Sequence, residues 1–347
     1  MSFASRVADA FDRVNTPMSP GVRRLLNAAL YAMALILPLV WAFENISFYN
    51  VPGNLLDPFT DANTYLAAGE RLNAGHLLYQ LQPGDRFVLT IPGVFDSPLL
   101  SPPPIAVVWR PLAAIPFGYA LWIATTWVAL LGTIVFLLRR IGPWAAMAVI
   151  ALSFSLGEQL AVANINAFAP AFFLLAWRFQ HRAIAGFLLG SLTVIKLAPG
   201  AMLGWLAGSR RWVACVAFVA TLGLWFVVGG LGAGFDSYRQ YLGTLGTVRP
   251  TGWSIAGLFG NAATYVFLAL GCLLAFVLGM RGRHRASFVV AVVTSVLGTP
   301  ALYASGAVGL LGALAPWAFA DRAADAATVP VAAASVRSLS TAEDRPA

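Results

Sequence analysis

Asp61 is the residue whose type and position best suit acid–base chemistry. It lies near the start of FTDANTYLAAGERLNAGHLLY (residues 59–79), where the spacing of apolar residues predicts a helix over residues 62–74 with Tyr65 on its apolar face. Aspartate is a favoured N-cap because its carboxylate accepts hydrogen bonds from free backbone amides. It also acts as a general base where it borders a cavity. The pattern alone favours the cap, and the two roles are compatible because a cap would hold the carboxylate in place.

Lys196 is the only lysine in the chain, and apolar and small residues surround it in SLTVIKLAPGAML (residues 191–203). Pro199 and Gly200 interrupt the helix at this point. An ionisable residue at membrane depth usually faces a cavity or a partner, and an ammonium beside the start of the next helix is suited to binding an anion. The alternative is a lysine that snorkels to the lipid headgroups and orients the segment.

A third polar group lies in LGEQLAVANINAFAPAFF (residues 156–173), between two short apolar stretches. Glu158, Asn164 and Asn166 supply a carboxylate and two amides there. These residues belong either to a solvated loop between two membrane spans or to the wall of a polar cavity. The sequence favours the two interpretations about equally.

The segment GFDSYRQYLGTLGTVRPTGWS (residues 234–254) adds a second candidate cation. Arg249 stands just before an apolar stretch, where it either completes an anion site or anchors the chain at the membrane interface. Tyr238 and Tyr241 are interpreted as ordinary interfacial anchors, because tyrosine is enriched at the level of the headgroups.

The elements that must position these residues are membrane helices. Of the 347 residues, 59% are hydrophobic and 10% are charged, and the mean hydropathy is +0.76. Soluble domains carry about a quarter charged residues, and a soluble fold this apolar would lack enough polar surface to cover itself. The net charge of +8 is therefore attributed to arginines at the edges of membrane helices, and nucleic acid is not an expected partner.

Arginine clusters separate the apolar stretches and set the expected topology. A first span at residues 25–43 follows Arg23 and Arg24, so the positive-inside rule places the N-terminus in the cytoplasm and residues 44–101 outside, as a long loop with short helices. The whole chain is expected to form an all-α polytopic bundle of about ten transmembrane or half-membrane helices. Several stretches are too short to cross a hydrocarbon core of roughly 30 Å, which predicts pieces that stop at a cavity.

Three regions follow from this pattern. Residues 1–22 are predicted to be a cytoplasmic N-terminal segment, residues 23–320 the membrane domain, and residues 321–347 a disordered cytoplasmic tail rich in Ala, Ser, Thr and Asp. Within the membrane domain, the stretch 103–138 is compatible with one crossing or with two.

The sequence shows no cofactor motif. There is no G-x-x-x-x-G-K-[ST] phosphate loop, and no pair of His or Cys residues has metal-ligand spacing. Asp57, Asp61 and Glu70 have carboxylates of the kind that bind hard cations, but nothing in their spacing requires a metal. No cofactor is expected, a divalent metal is left open, and membrane lipids are the expected partners.

Four motifs resemble those of the GT-C type glycosyltransferases that use polyprenyl-phosphate sugars, and more narrowly those of glycosyltransferase family 87. They are, in chain order, Asp61 with Tyr65, residues 101–104, residues 163–166 and residues 196–199. The chain departs from the family pattern in lacking the tyrosine before the prolines of the second motif. A late Pro-x-x-Trp followed by histidines corresponds here to Pro300 and Tyr303, without a nearby histidine.

The resemblance implies a GT-C-like bundle and an inverting transfer of a mannose-like hexose. The donor would be a polyprenyl-phosphate sugar, and the acceptor a glycolipid or glycan of the cell envelope, outside a bacterial inner membrane with both termini in the cytoplasm. Asp61 would be the catalytic base, and Lys196 and Arg249 would bind the donor phosphate. Sugar or acceptor contacts would come from Tyr65, Glu158, Asn164 and Asn166.

Two other functions fit part of the sequence. A transporter or lipid translocase also uses broken helices and an ionisable residue at membrane depth, but no inverted repeat is detectable and six of the fourteen acidic residues lie in residues 44–101. An inactive relative of the family would explain the missing motif residues.

Overall fold

A computed structural model describes residues 19–51, 57–86, 97–247, 250–252 and 254–320. Within these ranges the regular structure is helical and no β-strand occurs, which confirms the predicted fold class. The chain before residue 19 and the predicted tail at residues 321–347 lie outside the described residues.

Fifteen α-helices occur in the described residues. They are α1 (Pro20–Tyr49), α2 (Thr60–Asn73), α3 (Pro103–Ala113), α4 (Gly118–Ile141), α5 (Pro143–Ala151), α6 (Ser153–Val162), α7 (Ala169–Arg178), α8 (Ala183–Ile195), α9 (Met202–Gly208), α10 (Trp212–Ala233), α11 (Asp236–Thr247), α12 (Ile255–Phe259), α13 (Asn261–Met280), α14 (His284–Leu297) and α15 (Ala315–Ala318). Segments of 3-10 helix occupy Ile165–Phe168, Ala198–Ala201 and Ala304–Leu314.

Four helices are long and apolar enough to cross a membrane, namely α1, α4, α10 and α13. Helices α5 and α6 meet at a bend of 64° and are long and apolar enough only when taken together, as in a broken span or a re-entrant loop. Shorter apolar helical segments occupy Ile165–Arg178, Ala183–Ile195, His284–Leu297 and Ala304–Ala318. The protein is therefore a polytopic membrane protein with both full spans and short segments, as the sequence predicts.

The turns that precede α8, α10 and α14 meet at one end of the bundle, which we call the arginine end. Arg211 Nη1 lies 2.9 Å from His181 Nδ1, and His284 Nδ1 lies 3.1 Å from Ser209 Oγ. The opposite end, which we call the cavity end, carries the loop helix α2. The bundle is thus polarised, with its arginine turns on one side and the loop helix on the other.

The segment from α8 to α10 runs towards the cavity end, returns, and runs towards it again. Gly186 packs on the backbone of Ala214 and Gly190 on the backbone of Phe218, so α8 and α10 lie parallel in close contact. Small residues permit this approach of two helices in a membrane. Since α8 and α10 run the same way, residues 198–208 must return between them, as the arginine clusters predict.

The structure extends the first predicted span. Helix α1 continues to Tyr49, beyond the apolar stretch at residues 25–43. Ile46 and Tyr49 pack against Ala161 and Val162, and these tertiary contacts support the helix beyond its most apolar stretch.

Helix α3 does not cross the membrane domain, although the sequence offers it as an apolar stretch. It packs against α2 at the cavity end, with Trp109 fully buried in a cluster that includes Tyr65 and Trp122. Over residues 103–138, α4 is the helix that is long and apolar enough to cross a membrane.

Candidate active site

Close packing on α3 fixes the loop helix α2 to the cavity end. Gly69 lies against Trp109, where a Cβ on residue 69 would come within 2.7 Å of the Trp109 carbonyl oxygen. The Trp109 ring contacts those of Tyr65 and Trp122, at centroid distances of 6.1 Å and 5.0 Å. Aromatic pairs at such distances add to the free energy of area burial. The glycine and the ring cluster together hold α2 against the bundle.

Helix α2 directs the Asp61 carboxylate towards the chain that follows α6. The N-cap residue of α2 is Phe59, in a left-handed conformation (φ 59°) and without a side-chain cap. Asp61 is therefore inside the helix, and the predicted N-cap role is wrong. The reason is tertiary, because a 2.8 Å hydrogen bond from the Phe59 N–H to the Ala161 carbonyl oxygen fixes where the helix begins. Asp61 Oδ2 instead accepts a 2.8 Å hydrogen bond from Asn164 Nδ2.

The chain between α6 and the next 3-10 segment holds Asn164 in place. Ala163 has a left-handed backbone (φ 51°), which is uncommon outside glycine, and its carbonyl oxygen accepts a 2.9 Å hydrogen bond from Trp122 Nε1. Gln159 Nε2 donates to the Asn164 carbonyl oxygen, and Asn164 Oδ1 accepts from the Asn166 N–H. Strained backbone persists only where surrounding contacts hold it. These bonds supply such contacts on both sides of the Asn164 amide.

A cavity of about 390 Å³ opens at this point. Such a volume is within the range of small-molecule sites, about 300–1,000 Å³. Six of the seven sequence-predicted site residues line it, namely Asp61, Tyr65, Glu158, Asn164, Asn166 and Lys196. The seventh, Arg249, lies outside the described residues. Residues far apart in the chain are therefore brought to one cavity, while their individual roles remain predictions.

Lys196 follows the last residue of α8 in an extended conformation (φ −142°, ψ 118°). Its side chain is half-buried and lines the cavity. Its positive charge interacts with Asp61, but the two groups are not within the 4.0 Å of an ion pair. Within the described ranges of the chain, no side chain binds the ammonium, so its N–H groups are open to a ligand in the cavity.

The electrostatic environment suits Asp61 to accepting a proton. Burial raises the pKa of the Asp61 carboxyl above its ordinary value, while the Asn164 hydrogen bond and the charge of Lys196 act to lower it. A raised pKa makes the carboxylate a stronger base, and the two opposing groups favour its ionised form. Burial also raises the pKa of the Tyr65 hydroxyl, which keeps it protonated and able to donate a hydrogen bond.

Glu158 adds a second carboxylate to the cavity wall. Its Oε2 atom is buried without a hydrogen-bond partner among the described residues, although the backbone N–H of Ser305 interacts with the same carboxylate. Tyr303 and Ser305 line the same cavity from the chain beyond α14. A buried carboxylate oxygen without a donor costs free energy, so a hydroxyl group of a bound ligand would stabilise this wall.

Several residues line the cavity although the sequence assigns them no role there, among them Tyr49, Tyr241 and Ser305. Tyr241 is not the interfacial anchor that the sequence suggests, because it is only 8% exposed and its ring lies 5.9 Å from that of Tyr79. No local pattern marks this contact, which joins α11 to the first loop. Tyr303 did carry a signal, since it stands three residues after Pro300 as in the family motif, and both line the cavity.

The carboxylates that could have formed a metal site do not converge. Among the residues that the structure describes, no group of three or more His, Cys, Asp or Glu side chains is placed to hold a metal ion. Glu70 instead binds Arg86, with Oε2 2.8 Å from Nε. His76 Nδ1 lies 2.6 Å from Asp85 Oδ1. These pairs tie the first loop together at a distance from the cavity lining.

Comparison with known proteins supports the resemblance read from the motifs. The family model described as glycosyltransferase family 87 matches residues 100–341, a range that includes Lys196 but not Asp61. A polyprenol-phosphate-mannose-dependent alpha-(1-2)-phosphatidylinositol pentamannoside mannosyltransferase from Mycolicibacterium smegmatis is 28% identical over 261 residues, which cover 71% of this chain and 60% of that protein. The protein of the same name from Mycobacterium tuberculosis is 28% identical over 217 residues, with 55% of this chain and 47% of that protein covered.

The chain thus spans 60% and 47% of the lengths of these two relatives. No solved structure matches it.

Proposed function

Because the chain belongs to glycosyltransferase family 87, we propose that it is an integral membrane enzyme that moves a hexose from a polyprenyl-phosphate donor to a glycolipid or glycan of the cell envelope. The relatives are named for polyprenol-phosphate-mannose and phosphatidylinositol pentamannoside, so mannose is the first sugar to test. One observation carries the proposal: the Asp61 carboxylate and the Lys196 ammonium border the same cavity.

Asp61 is proposed as the general base. Its carboxylate takes the proton from an acceptor hydroxyl, whose oxygen forms a bond to the anomeric carbon of the donor sugar. The bond between that carbon and the phosphate oxygen breaks, and the polyprenyl phosphate leaves with the electron pair. A single displacement of this kind inverts the configuration of the sugar. General-base catalysis contributes about 10²–10⁴ in rate.

Lys196 is proposed to stabilise the negative charge that develops on the leaving phosphate. A fixed cation acts most strongly where charge grows in the transition state and water is largely excluded. The Lys196 ammonium has no bonded partner among the described side chains, so it does not have to break an ion pair to bind phosphate. Arg249, which lies outside the described residues, is proposed as a second cation for this group.

The remaining predicted residues are proposed to bind hydroxyl groups of the sugar or the acceptor. Glu158 is best supported, because its buried Oε2 lacks a donor in the described part of the protein. The Asn164 and Asn166 side chains and the Tyr65 hydroxyl offer further polar groups on the same wall. The proposed chemistry uses no cofactor, and parallel assays with Mg²⁺ and with EDTA test this directly.

The distribution of charge supports a location for the reaction. Arginines cluster at the turns that meet at the arginine end, and the positive-inside rule assigns such turns to the cytoplasm. The cavity at the opposite end would then face the extracytoplasmic side of a bacterial inner membrane. Phe319 packs on Phe136, near the arginine-rich end of α4, which supports a cytoplasmic C-terminus.

The proposal is tested by sugar transfer with the purified full-length chain in lipid nanodiscs. A panel of radiolabelled polyprenyl-phosphate sugars, mannose first, is incubated with phosphatidylinositol mannosides and other envelope glycolipids. Asp61→Asn should abolish transfer while the protein remains folded. Glu70→Gln is the matched control, because Glu70 is on the same helix but its carboxylate binds Arg86.

Retained transfer by Asp61→Asn would contradict the role of the carboxylate. If Asp61→Asn and Glu70→Gln lost thermal stability and activity together, Asp61 would be a structural residue. Transbilayer movement of the donor without any sugar transfer would point to a lipid translocase instead.

A further inference from the structure

Three turns at the arginine end form a basic cluster that the proposed reaction does not use. They are the turn between α7 and α8, the turn between α9 and α10, and the turn between α13 and α14. Arg211 Nη1 contacts His181 Nδ1 at 2.9 Å, and His284 Nδ1 contacts Ser209 Oγ at 3.1 Å. These side-chain contacts join the three turns into a single surface, which we call the three-turn cluster.

The three-turn cluster carries many exposed cations. Six of its arginines are exposed, namely Arg178, Arg182, Arg210, Arg281, Arg283 and Arg285. The carboxylates in the described ranges belong to the first loop, the cavity wall or elements near the cavity end, namely Glu44, Asp57, Asp61, Glu70, Asp85, Glu158 and Asp236. Within the described residues, then, no acidic side chain neutralises the cluster.

Several guanidinium groups in the cluster are held in place yet lack an anionic partner. Arg178 and Arg182 both lie over the Phe179 ring, at 5.8 Å and 5.7 Å from its centroid. Arg211 has a buried Nε without a hydrogen-bond partner, and Arg210 has a left-handed backbone (φ 57°). Gathering like charges and leaving a buried donor unpaired both cost free energy. An anion bound between the turns would offset both costs.

The position of the cluster identifies the source of that anion. Trp212 begins the spanning helix α10 directly after Arg211, and it is 62% exposed. Val213 and Val216 are also mostly exposed on the same helix, as expected of side chains that face lipid. Tryptophan is enriched at the level of the headgroups, so Arg210 and Arg211 lie at the level of the lipid phosphates.

We infer that the three-turn cluster binds the phosphate of an anionic phospholipid, in the leaflet opposite the cavity. Arginine is suited to this ligand because its planar fork donates two parallel hydrogen bonds to phosphate oxygens. A lipid that bridges three turns would also fix the relative positions of α8, α10 and α14, whose other ends approach the cavity. The site is separate from the donor site, so it stands whether or not the proposed sugar transfer is correct.

The test measures lipid binding to the delipidated full-length chain by native mass spectrometry. Dioleoyl-phosphatidylglycerol is compared with dioleoyl-phosphatidylcholine, and the Kd of the first bound lipid is determined. Arg281→Gln with Arg283→Gln should weaken binding of the first phosphatidylglycerol on the order of thirtyfold, because each lost arginine removes one favourable charge interaction. Arg23→Gln with Arg24→Gln removes two exposed charges near the same end but outside the cluster, and should change the Kd far less.

A second pair of substitutions guards against a local folding defect. Arg178→Gln with Arg182→Gln removes charges from a different turn and should weaken the same binding event, with thermal unfolding in phosphatidylcholine as the check on structure. If Arg23→Gln with Arg24→Gln weakened phosphatidylglycerol binding as much as the cluster variants do, the inference would be overturned in favour of a diffuse positive surface. Equal affinity for the two lipids, or full displacement of phosphatidylglycerol by inorganic phosphate, would also overturn it.

Discussion

Replacing Asn164 should change the pH dependence of sugar transfer more than it changes the fold. Asn164 Nδ2 donates a 2.8 Å hydrogen bond to the Asp61 carboxylate, and this bond lowers a carboxyl pKa that burial raises. Loss of the donor in Asn164→Ala destabilises the ionised form only, so the pKa of Asp61 rises. A base must be ionised to act, and the acid limb of the kcat/KM profile should therefore move to higher pH.

The size of the effect follows from the charge on the acceptor. A hydrogen bond to a charged group contributes about 1.5–3 kcal/mol, equivalent to about tenfold to a hundredfold in the ionisation equilibrium. On the acid limb, where the rate is proportional to the ionised fraction, kcat/KM should fall by this factor. On the high-pH plateau this loss disappears, and any remaining decrease measures the contact that the Asn164 side chain makes with the substrate.

Asn164 also caps the following 3-10 segment through Oδ1, and a second variant separates the two roles. Asn164→Asp keeps an acceptor for the Asn166 N–H but places a like charge beside Asp61, so it should shift the acid limb further than Asn164→Ala does. Asn73→Ala is the control for docking of α2, because Asn73 bonds Arg110 away from the cavity. An acid limb that stays in place in both folded Asn164 variants would refute the assignment of Asp61 as the titrating base.

Two further changes test the donor site and the packing beneath it. Lys196→Met should reduce kcat/KM for the polyprenyl-phosphate donor by about a hundredfold, as expected when a group that stabilises transition-state charge is removed. Lys196→Arg should recover part of the loss. An unchanged kcat/KM in Lys196→Met would exclude the proposed role at the leaving phosphate. Gly157→Ala should lower the free energy of unfolding by about 1–3 kcal/mol, because its Cβ would overlap Trp41 and lie 2.7 Å from the Ala42 nitrogen. Gly132→Ala, where nothing lies within 4 Å of the added Cβ, should not destabilise the protein in the same thermal-unfolding assay; equal losses would mean that the contact with α1 is not tight.

The membrane architecture was accessible from the sequence because it depends on local composition. A segment that crosses a bilayer must be apolar along its length, and arginines collect at its cytoplasmic end. The short return through residues 198–208 was predictable for the same reason, since Lys196 and Pro199 mark a break before an arginine pair. Exact helix ends were not predictable, as the extension of α1 to Tyr49 shows, because contacts with other helices support the last turns.

The identity of the candidate site residues could also be predicted from the sequence. Polar groups in apolar surroundings cost free energy, so those that a membrane protein keeps there usually belong to a functional site. The sequence could not determine what each residue contacts. Asp61 and Asn164 are 103 positions apart, and the left-handed conformations of Phe59 and Ala163 that flank their contact have no signature in residue type. Packing selects these conformations. The Phe59 N–H donates a hydrogen bond to the Ala161 carbonyl oxygen near the end of α6, and Trp122 Nε1 donates one to the carbonyl oxygen of Ala163, the residue after α6.

By itself, the sequence determined that this chain enters a membrane, where its membrane helices are interrupted, and which few polar residues lie within them. Each of these features depends on the free energy of placing a local segment in lipid. The tertiary structure decided that the Asp61 carboxylate binds an amide instead of capping its own helix, and that Glu158, Lys196 and Tyr303 share its cavity. Those outcomes depend on contacts between segments that are distant in the chain. Such contacts form, and contribute free energy, only when the helices pack together.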